Sequence, residues 1–266
     1  MNLSTWCKIA VLCLVLNITT GCSFTLKNDV FTGSDEDFTH GTELSVRTEV
    51  PEIFSQNESL NEVLLGKPNY LTFTLGQHIY TPSNLRSSEI IEKENPYAGW
   101  LFTESSLSFI KPGYRTDLSF SLGLVGPNSF AEDVQRFVHE DLDKGTDPKG
   151  WHNQIPQEVG FNLNYSVSQQ DLLKKNFLLP LTKLYLINGL QARLGNINIS
   201  TGGSIGLRYG KNIPSLIGYN TKDWSLFTEV EVSGQIVGRN MFYDGPLFRS
   251  DVPHSVDSRP LVGQVK

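Results

Sequence analysis

The sequence predicts an all-β protein, an antiparallel up-and-down transmembrane β-barrel, and three observations favour this fold. Apolar and polar residues alternate with a period of two along most of the chain, as in residues 115–126, RTDLSFSLGLVG. A short apolar run near the amino terminus resembles an export signal. The predicted strands are about ten residues long, and aromatic residues such as Tyr97, Trp100 and Trp224 lie near their ends. The alternative is a soluble β-sandwich, which buries the apolar faces that a barrel turns towards lipid.

The composition excludes several other classes of protein. Of the 266 residues, 19% are charged and the formal net charge is −6, which is typical of neither a disordered chain nor a coiled coil. A nucleic-acid partner is not expected, because no basic stripe is present to neutralise phosphates.

Residues 1–21 are predicted to be a secretory signal peptide. Lys8 precedes an apolar run over residues 9–16, which is too short to cross a bilayer as a helix. The barrel domain then comprises residues 22–266.

The end of this leader leaves two alternatives open for Cys22. Residues 18–21, ITTG, form a loose lipobox, so the cysteine is either lipidated or follows an ordinary cleavage site near Gly21. Cys7 and Cys13 are removed with the leader in both cases. The exported chain therefore has at most one cysteine and no disulfide framework.

Ten strands are expected from the alternating pattern, and one segment between the fifth and sixth strands breaks it. The predicted strands are residues 23–31, 38–49, 70–79, 98–109, 115–126, 157–168, 181–195, 197–209, 224–238 and 260–266. Near residues 130–142 the apolar residues Phe130, Val134, Phe137 and Val138 have helical spacing, which predicts a short helix with Ser129 or Asn128 as its cap.

Alternation along the strands indicates which polar residues meet. The connections after strands one, three and five share one rim of such a barrel, and this rim is extracellular if both termini lie in the periplasm. Asp29 and Thr39 are expected to face the interior near this rim, whereas Asn28 has outward parity. Gln135 and His139 are four residues apart, so they share one face of the predicted helix, which is expected to sit above the interior.

These residue types suit the hydrolysis of an ester. A neutral histidine can take a proton from water near neutral pH. An aspartate with hydroxyl or carbonyl oxygens can hold calcium, which would polarise the ester carbonyl group. The chain has no GxSxG motif, so a covalent serine mechanism is not favoured.

An ordered set of motifs resembles those of the outer-membrane lipid A 3′-O-deacylase family. The motifs are NDVFTGSDEDFTHG, GQHIYTPS, NPYAGWL, LGLVGP followed by VQRFVH, KGWHNQI and GRNMFYDG. They run in order from residue 28 to near residue 262, and so cover nearly all of the chain after the leader.

The resemblance implies a calcium-dependent esterase that acts on lipid A in the outer membrane of a Gram-negative bacterium, as a monomer with its active-site rim facing outward. The family's paired Asn and Asp match Asn28 and Asp29, its threonine matches Thr39, and its helical residues match Gln135 and His139. The histidine activates water, and the other residues surround calcium and the oxyanion. An acidic calcium ligand after the helix is also implied, and it corresponds to either Asp143 or Asp147.

The end of the chain departs from the family pattern. The family barrel has twelve strands, whereas about ten are visible here, so the last strands are missing from this sequence or the barrel closes with fewer. The alternative to an enzyme is accordingly a non-catalytic or decayed outer-membrane β-barrel of the same family.

Overall fold

Ten antiparallel strands form one sheet in the computed structural model, which describes residues 19–28, 38–50, 68–138, 148–213 and 224–265. Each strand pairs with the next one along the chain, so the topology is up-and-down. The strands are β1 Thr19–Asn28, β2 Phe38–Glu49, β3 Tyr70–Tyr80, β4 Ala98–Lys111, β5 Tyr114–Val125, β6 Glu158–Lys175, β7 Thr182–Gly195, β8 Asn198–Lys211, β9 Leu226–Asn240 and β10 Leu261–Val265.

The two faces of the sheet have opposite character. In β5, Phe120, Leu122 and Leu124 are exposed, whereas Ser119 and Ser121 between them are buried. Successive side chains of a strand point to opposite faces, so the apolar residues lie outside and the polar residues inside. A soluble sandwich has the reverse arrangement and two sheets, and the alternative that the sequence left open is therefore wrong.

The sheet curls so that strands distant in sequence approach across its interior. Tyr80, the last residue of β3, stacks on Phe242, which follows β9, with 3.9 Å between the ring centroids. Within the described residues, β1 and β10 are the edge strands, because each pairs with only one neighbour. The barrel fold with ten visible strands is thus confirmed.

Most predicted strand bounds agree with the structure to within two or three residues. The largest difference is β6, which continues to Lys175, seven residues beyond its predicted end. β1 begins at Thr19 and so overlaps the last residues of the predicted signal peptide. Cleavage of residues 1–21 and lipidation of Cys22 stay predictions, and residues 29–31 of the predicted first strand lie outside the described part.

A short helix lies between β5 and β6, as predicted, but its start differs. Helix α1 spans Ala131–Phe137, and residues beyond Val138 in the predicted helix lie outside the described part. Neither predicted cap is used, because the cap position is Phe130 in the left-handed region with φ 57°. The Ser129 hydroxyl instead donates to the carbonyl oxygen of Gly126 at 2.6 Å.

One rim of the barrel carries the connections β1–β2, β3–β4, β5–β6, β7–β8 and β9–β10, and we call it the first rim. The interior at this rim is filled by an apolar cluster. Its buried members are Ala98, Trp100, Phe102, Val125, Ile155, Ile197, Met241 and Phe242. Met241 and Phe242 belong to α2, Met241–Asp244, a single turn that follows β9.

Two aromatic residues that the sequence placed near strand ends as membrane anchors lie elsewhere in the structure. Trp100 is buried inside the barrel and Tyr97 is buried beside the wall, so neither is an interfacial anchor at the surface. Trp224 is exposed, as such an anchor should be. In the part of the chain that the structure describes, no helix has both the length and the apolar character needed to cross a membrane.

Candidate active site

Helix α1 lies against the outer face of the barrel wall. Gly99 in β4 approaches it so closely that a Cβ atom there would lie 2.1 Å from Ser129 Oγ and 2.2 Å from Ala131 Cβ. Gln77 in β3 donates from Nε2 to the Ser129 carbonyl oxygen at 2.6 Å. Gln77 has the same parity as the exposed Phe73, so this contact is on the outside. The predicted position of the helix above the interior is therefore wrong.

We call this contact the helix–wall seam. It is formed by Gln77, Ile79 and Gly99 of the wall and by Ser129, Ala131 and Gln135 of the helix segment. A buried cluster of Ile79, Tyr97, Ala131 and Trp151 fills it, with Leu85 and Val134 packed around. The wall formed by β3 and β4 thus carries one apolar core on its inner face and another on its outer face.

Gln135 is the predicted site residue whose surroundings the structure describes most fully. Its side chain is 4% exposed, and its Oε1 accepts a hydrogen bond of 2.8 Å from the indole Nε1 of Trp151. An indole can only donate, so this bond fixes which end of the amide faces Trp151. Nε2 of Gln135 is buried and has no hydrogen-bond partner among the described residues. A buried donor without a partner costs about 1–3 kcal/mol, and such groups are often functional.

A row of directly paired residues crosses the outer face at the level of α1. Asn28 pairs with His40, His40 with Ile79, and Ile79 with Gly99. Residues directly opposite each other in a sheet share a face, so the row leads from the end of β1 to the seam. The His40 ring is half-buried, and its Nε2 lies 2.8 Å from Thr42 Oγ1. Through its backbone pairing with His40, Asn28 occupies the β1 end of this row.

Thr39 occupies an irregularity of β2. The pairing of β2 with β3 passes from Phe38 and Tyr80 directly to His40 and Ile79, so Thr39 is the extra residue of a bulge. A bulge interrupts the strict alternation of side chains and commonly re-aims one of them near active sites. The alternation from which an inward Thr39 was predicted therefore does not apply at this residue, whose backbone alone the structure describes.

The other predicted site residues lie outside the described part of the chain. They are Asp29, His139, Asp143 and Asp147. Their neighbours are placed, however, since Asn28 precedes Asp29 at the end of the row and Val138 precedes His139 at the end of α1. In the sequence, His139 is four residues after Gln135.

The predicted calcium site consists of oxygen donors from the β1–β2 hairpin and from the segment after α1. Among the described residues, no group of three or more His, Cys, Asp and Glu side chains could hold a metal ion. The predicted ligands Asp29, Thr39 and either Asp143 or Asp147 supply carboxylate and hydroxyl oxygens, which suit a hard cation such as calcium. The backbone brings the end of β1 beside the Thr39 bulge, because Asn28 pairs with His40. The donor types fit calcium, and its binding stays a prediction, since Thr39 is the one residue of this set in the described part of the chain.

Sequence reasoning missed two residues of this region, Trp151 and Gly99. Trp151 begins a short 3₁₀ turn, Trp151–Asn153, and fixes the amide of Gln135. Gly99 makes room for the helix on the wall. A glycine within a strand often marks a close approach of another segment, and this pattern was the available indication.

On the inner face of the same wall lies a separate polar group. The Glu43 carboxylate lies 2.8 Å from Lys27 Nζ and 2.9 Å from His78 Nε2. The His78 ring contacts the edges of Trp100 and Phe102, at centroid distances of 5.8 and 5.0 Å. These contacts place the Lys27 and Glu43 side chains on the inner face of the barrel.

Comparison with known proteins agrees with this architecture. No curated protein sequence matches the chain. The structure is similar to that of LpxR from Salmonella typhimurium, with a TM-score of 0.70 and 17% sequence identity, over 92% of this chain and 86% of that one. A sequence model of the family described as outer membrane protein LpxR matches residues 10–266. The chain therefore belongs to the outer membrane protein LpxR family.

Proposed function

We propose that the protein is a calcium-dependent hydrolase that removes the 3′-linked acyl (acyloxyacyl) chain from lipid A of lipopolysaccharide, with His139 activating water. Membership of an outer-membrane family supports the location, and the ordered motifs shared with the lipid A 3′-O-deacylases support the reaction. The observation that carries the proposal is the buried Nε2 of Gln135, which has no hydrogen-bond partner among the described residues and lies four residues before His139 in the sequence.

Gln135 and His139 have complementary roles in this proposal. The Gln135 amide is held by Trp151 and offers a fixed N–H donor to the ester carbonyl oxygen, where negative charge develops during attack by water. His139 accepts the proton of the attacking water and then returns it to the leaving alcohol. Asn28, at the far end of the row, contacts the same substrate from the wall.

Asp29 and Thr39, together with Asp143 or Asp147, would hold the calcium ion. When bound, calcium supplies polarisation of the ester carbonyl group. Asp29 lies at the end of β1 in sequence, and Thr39 lies in the bulge of β2, so the two belong to the same end of one hairpin.

The site is proposed to open towards lipid at the cell surface. The helix–wall seam lies on the apolar, outward face of the barrel, where an acyl chain reaches it from the surrounding leaflet. The first rim faces the exterior of a Gram-negative cell, and the protein acts as a monomer on lipopolysaccharide.

The test is mass spectrometry of lipid A from cells that make the protein. We expect loss of the mass of the 3′-linked chain with the native protein and with His152→Ala, a control at an exposed histidine. We expect unchanged lipid A with His139→Ala, and a strongly reduced conversion with Gln135→Ala. If the native chain folds in the outer membrane and lipid A stays unchanged, the non-catalytic alternative is correct.

The metal is tested separately with purified protein. A calcium chelator is expected to abolish deacylation, and added calcium, but not magnesium, is expected to restore it because the two cations demand different coordination. Comparison of Asp143→Asn with Asp147→Asn identifies the ligand after the helix, since only one of them should raise the calcium concentration needed. Full activity in the chelator would contradict the calcium requirement.

A further inference from the structure

Helix α1 exposes two large aromatic side chains that have no role in the seam. Phe130, at the cap position, is 56% exposed and Phe137, the last helical residue, is 54% exposed. Residues seven positions apart lie nearly above one another on a helix, so the two share one flank. Val134, half-buried, lies between them on this flank. We call the three residues the apolar flank.

The remaining sides of α1 have different environments. Ala131 and Gln135 are buried against the wall. On the other exposed side of the helix, Arg136 Nε lies 3.1 Å from Glu132 Oε1. Asp133 is exposed and lies at the edge of the apolar flank, three residues after Phe130 and four before Phe137. The exposed surface of the helix is therefore amphipathic, with one apolar side and one ionic side.

The apolar flank continues the outer apolar surface of the barrel. The carbonyl of Ser129, directly before Phe130, is bonded to Gln77 on the outer face. Gln77 pairs with Leu101, and Leu101 with Leu124, which is exposed outside the barrel. In an outer-membrane protein this face meets lipid hydrocarbon, so the flank is continuous with an existing lipid interface.

A second copy of the chain is a weaker candidate to cover this flank. An aromatic side chain buries about 150–250 Å², so two half-exposed rings offer on the order of 200 Å². A stable protein interface takes about 800 Å² from each partner.

We propose that the apolar flank of α1 is inserted into the acyl-chain layer of the surrounding membrane, with its ionic side towards water. Phe130 and Phe137 thereby hold the helix at the level of the hydrocarbon boundary. This anchoring depends on the membrane location alone and not on the proposed hydrolase activity.

Spin labels on single cysteines test the insertion. The full chain carrying Cys22→Ser is produced with Phe130→Cys, Phe137→Cys or, as the matched control on the ionic side, Glu132→Cys. Each variant is labelled and reconstituted into dioleoylphosphatidylcholine vesicles, and folding is confirmed by a change of gel mobility on heating. Collision rates are then measured with oxygen, which dissolves in hydrocarbon, and with a water-soluble nickel chelate.

At positions 130 and 137 we expect an oxygen-to-nickel collision ratio roughly tenfold or more above that at position 132, since interfacial helices bury their apolar side below the headgroups. Ratios at 130 and 137 equal to that at 132 would place the flank in water and overturn the proposal. Low collision rates with both reagents would show a protein cover, such as a second copy, and would equally overturn it. If one labelled variant does not fold, the other position decides.

Discussion

The indole N–H of Trp151 donates a hydrogen bond of 2.8 Å to the side-chain oxygen of Gln135, sixteen residues earlier in the chain. Both side chains are buried, Trp151 more completely than Gln135. The bond holds the amide so that its nitrogen faces away from the tryptophan, and this is the orientation that the proposed donor role requires. Trp151 is thus a positioning residue for Gln135.

Removing this donor should slow catalysis without unfolding the barrel. In Trp151→Phe a smaller aromatic ring replaces the indole and the N–H is lost, so the Gln135 amide is free to rotate. The loss of about 1–1.5 kcal/mol of hydrogen-bond energy predicts a rate of lipid A deacylation reduced roughly tenfold. Trp224→Phe, at an exposed tryptophan, serves as the control and should keep the full rate. Equal rates in both variants would show that the indole N–H is not needed.

The close approach at Gly99 predicts that even a methyl group disturbs the seam. A Cβ atom there would lie 2.2 Å from that of Ala131, which has no rotamer to change, so the helix must move. Overpacking of this kind costs about 1–3 kcal/mol.

Gly99→Ala is therefore expected to lose most deacylase activity while the barrel still shows a mobility change on heating. The control is Gly234→Ala, where the nearest atom to an added Cβ, a backbone oxygen of Val262, is 3.9 Å away. Near-ultraviolet circular dichroism should change for Gly99→Ala, because Tyr97 and Trp151 lie in the seam. Identical activity and spectra for both variants would contradict the packing at Gly99.

Glu158 is expected to stabilise the connection between β9 and β10 at the first rim. Its buried carboxylate accepts from Asn196 Nδ2 at 2.9 Å, and from the backbone N–H groups of Leu247 and Phe248 at 3.3 and 3.1 Å. Glu158→Gln replaces one acceptor oxygen by a donor, so that an N–H group at Leu247 or Phe248 loses its acceptor inside the barrel rim. The free energy of unfolding should fall by about 1–3 kcal/mol, measured from urea midpoints. Glu89→Gln, at an exposed glutamate, should leave the midpoint unchanged.

The loop between β9 and β10 also predicts a pH effect. Arg249 Nε donates to Asp251 Oδ1 at 2.8 Å, and this hydrogen bond lowers the pKa of Asp251 below its ordinary value of 3.8. A lowered pKa in the folded state means that the pair stabilises the fold at pH values above the ordinary pKa. This contribution is lost as the pH falls through the lowered pKa.

Carbon-13 resonances of the labelled carboxyl group measure this titration. In Arg249→Gln the pKa of Asp251 should return towards 3.8, and high salt should have a similar, weaker effect on the native protein because the pair is exposed. An unchanged titration in Arg249→Gln would mean that the guanidinium does not control this carboxyl group.

Strand positions could be predicted well because a period of two is a direct consequence of the barrel wall. The residues of β5 illustrate this, since every second side chain is apolar and the structure places these on the outside. Tyr97 and Trp100 were misplaced because an aromatic residue near a strand end suits both a membrane interface and a packed interior. Whether such a residue lies at the membrane interface or in the packed interior depends on the loops beside it.

The sequence predicts candidate site residues, which stay predictions, but it does not predict how the elements that carry them are arranged. Helical spacing identifies the buried face of α1, yet it does not say which side of a wall that face contacts. The contact of Trp151 with Gln135 depends on the path of the connection between β5 and β6, which has no periodic pattern. The bulge at Thr39 likewise follows from pairing with β3 and not from the sequence of β2.

The position of α1 outside the wall determines how a ligand finds the seam. A molecule anchored in the membrane arrives there by diffusion in two dimensions, without leaving the leaflet. Occupancy of the seam then depends on the mole fraction of that molecule in the membrane and not on its concentration in the surrounding water. At a constant total amount of that molecule, dilution with inert lipid would lower the rate at which it reaches the seam, whereas a change of the aqueous volume would not.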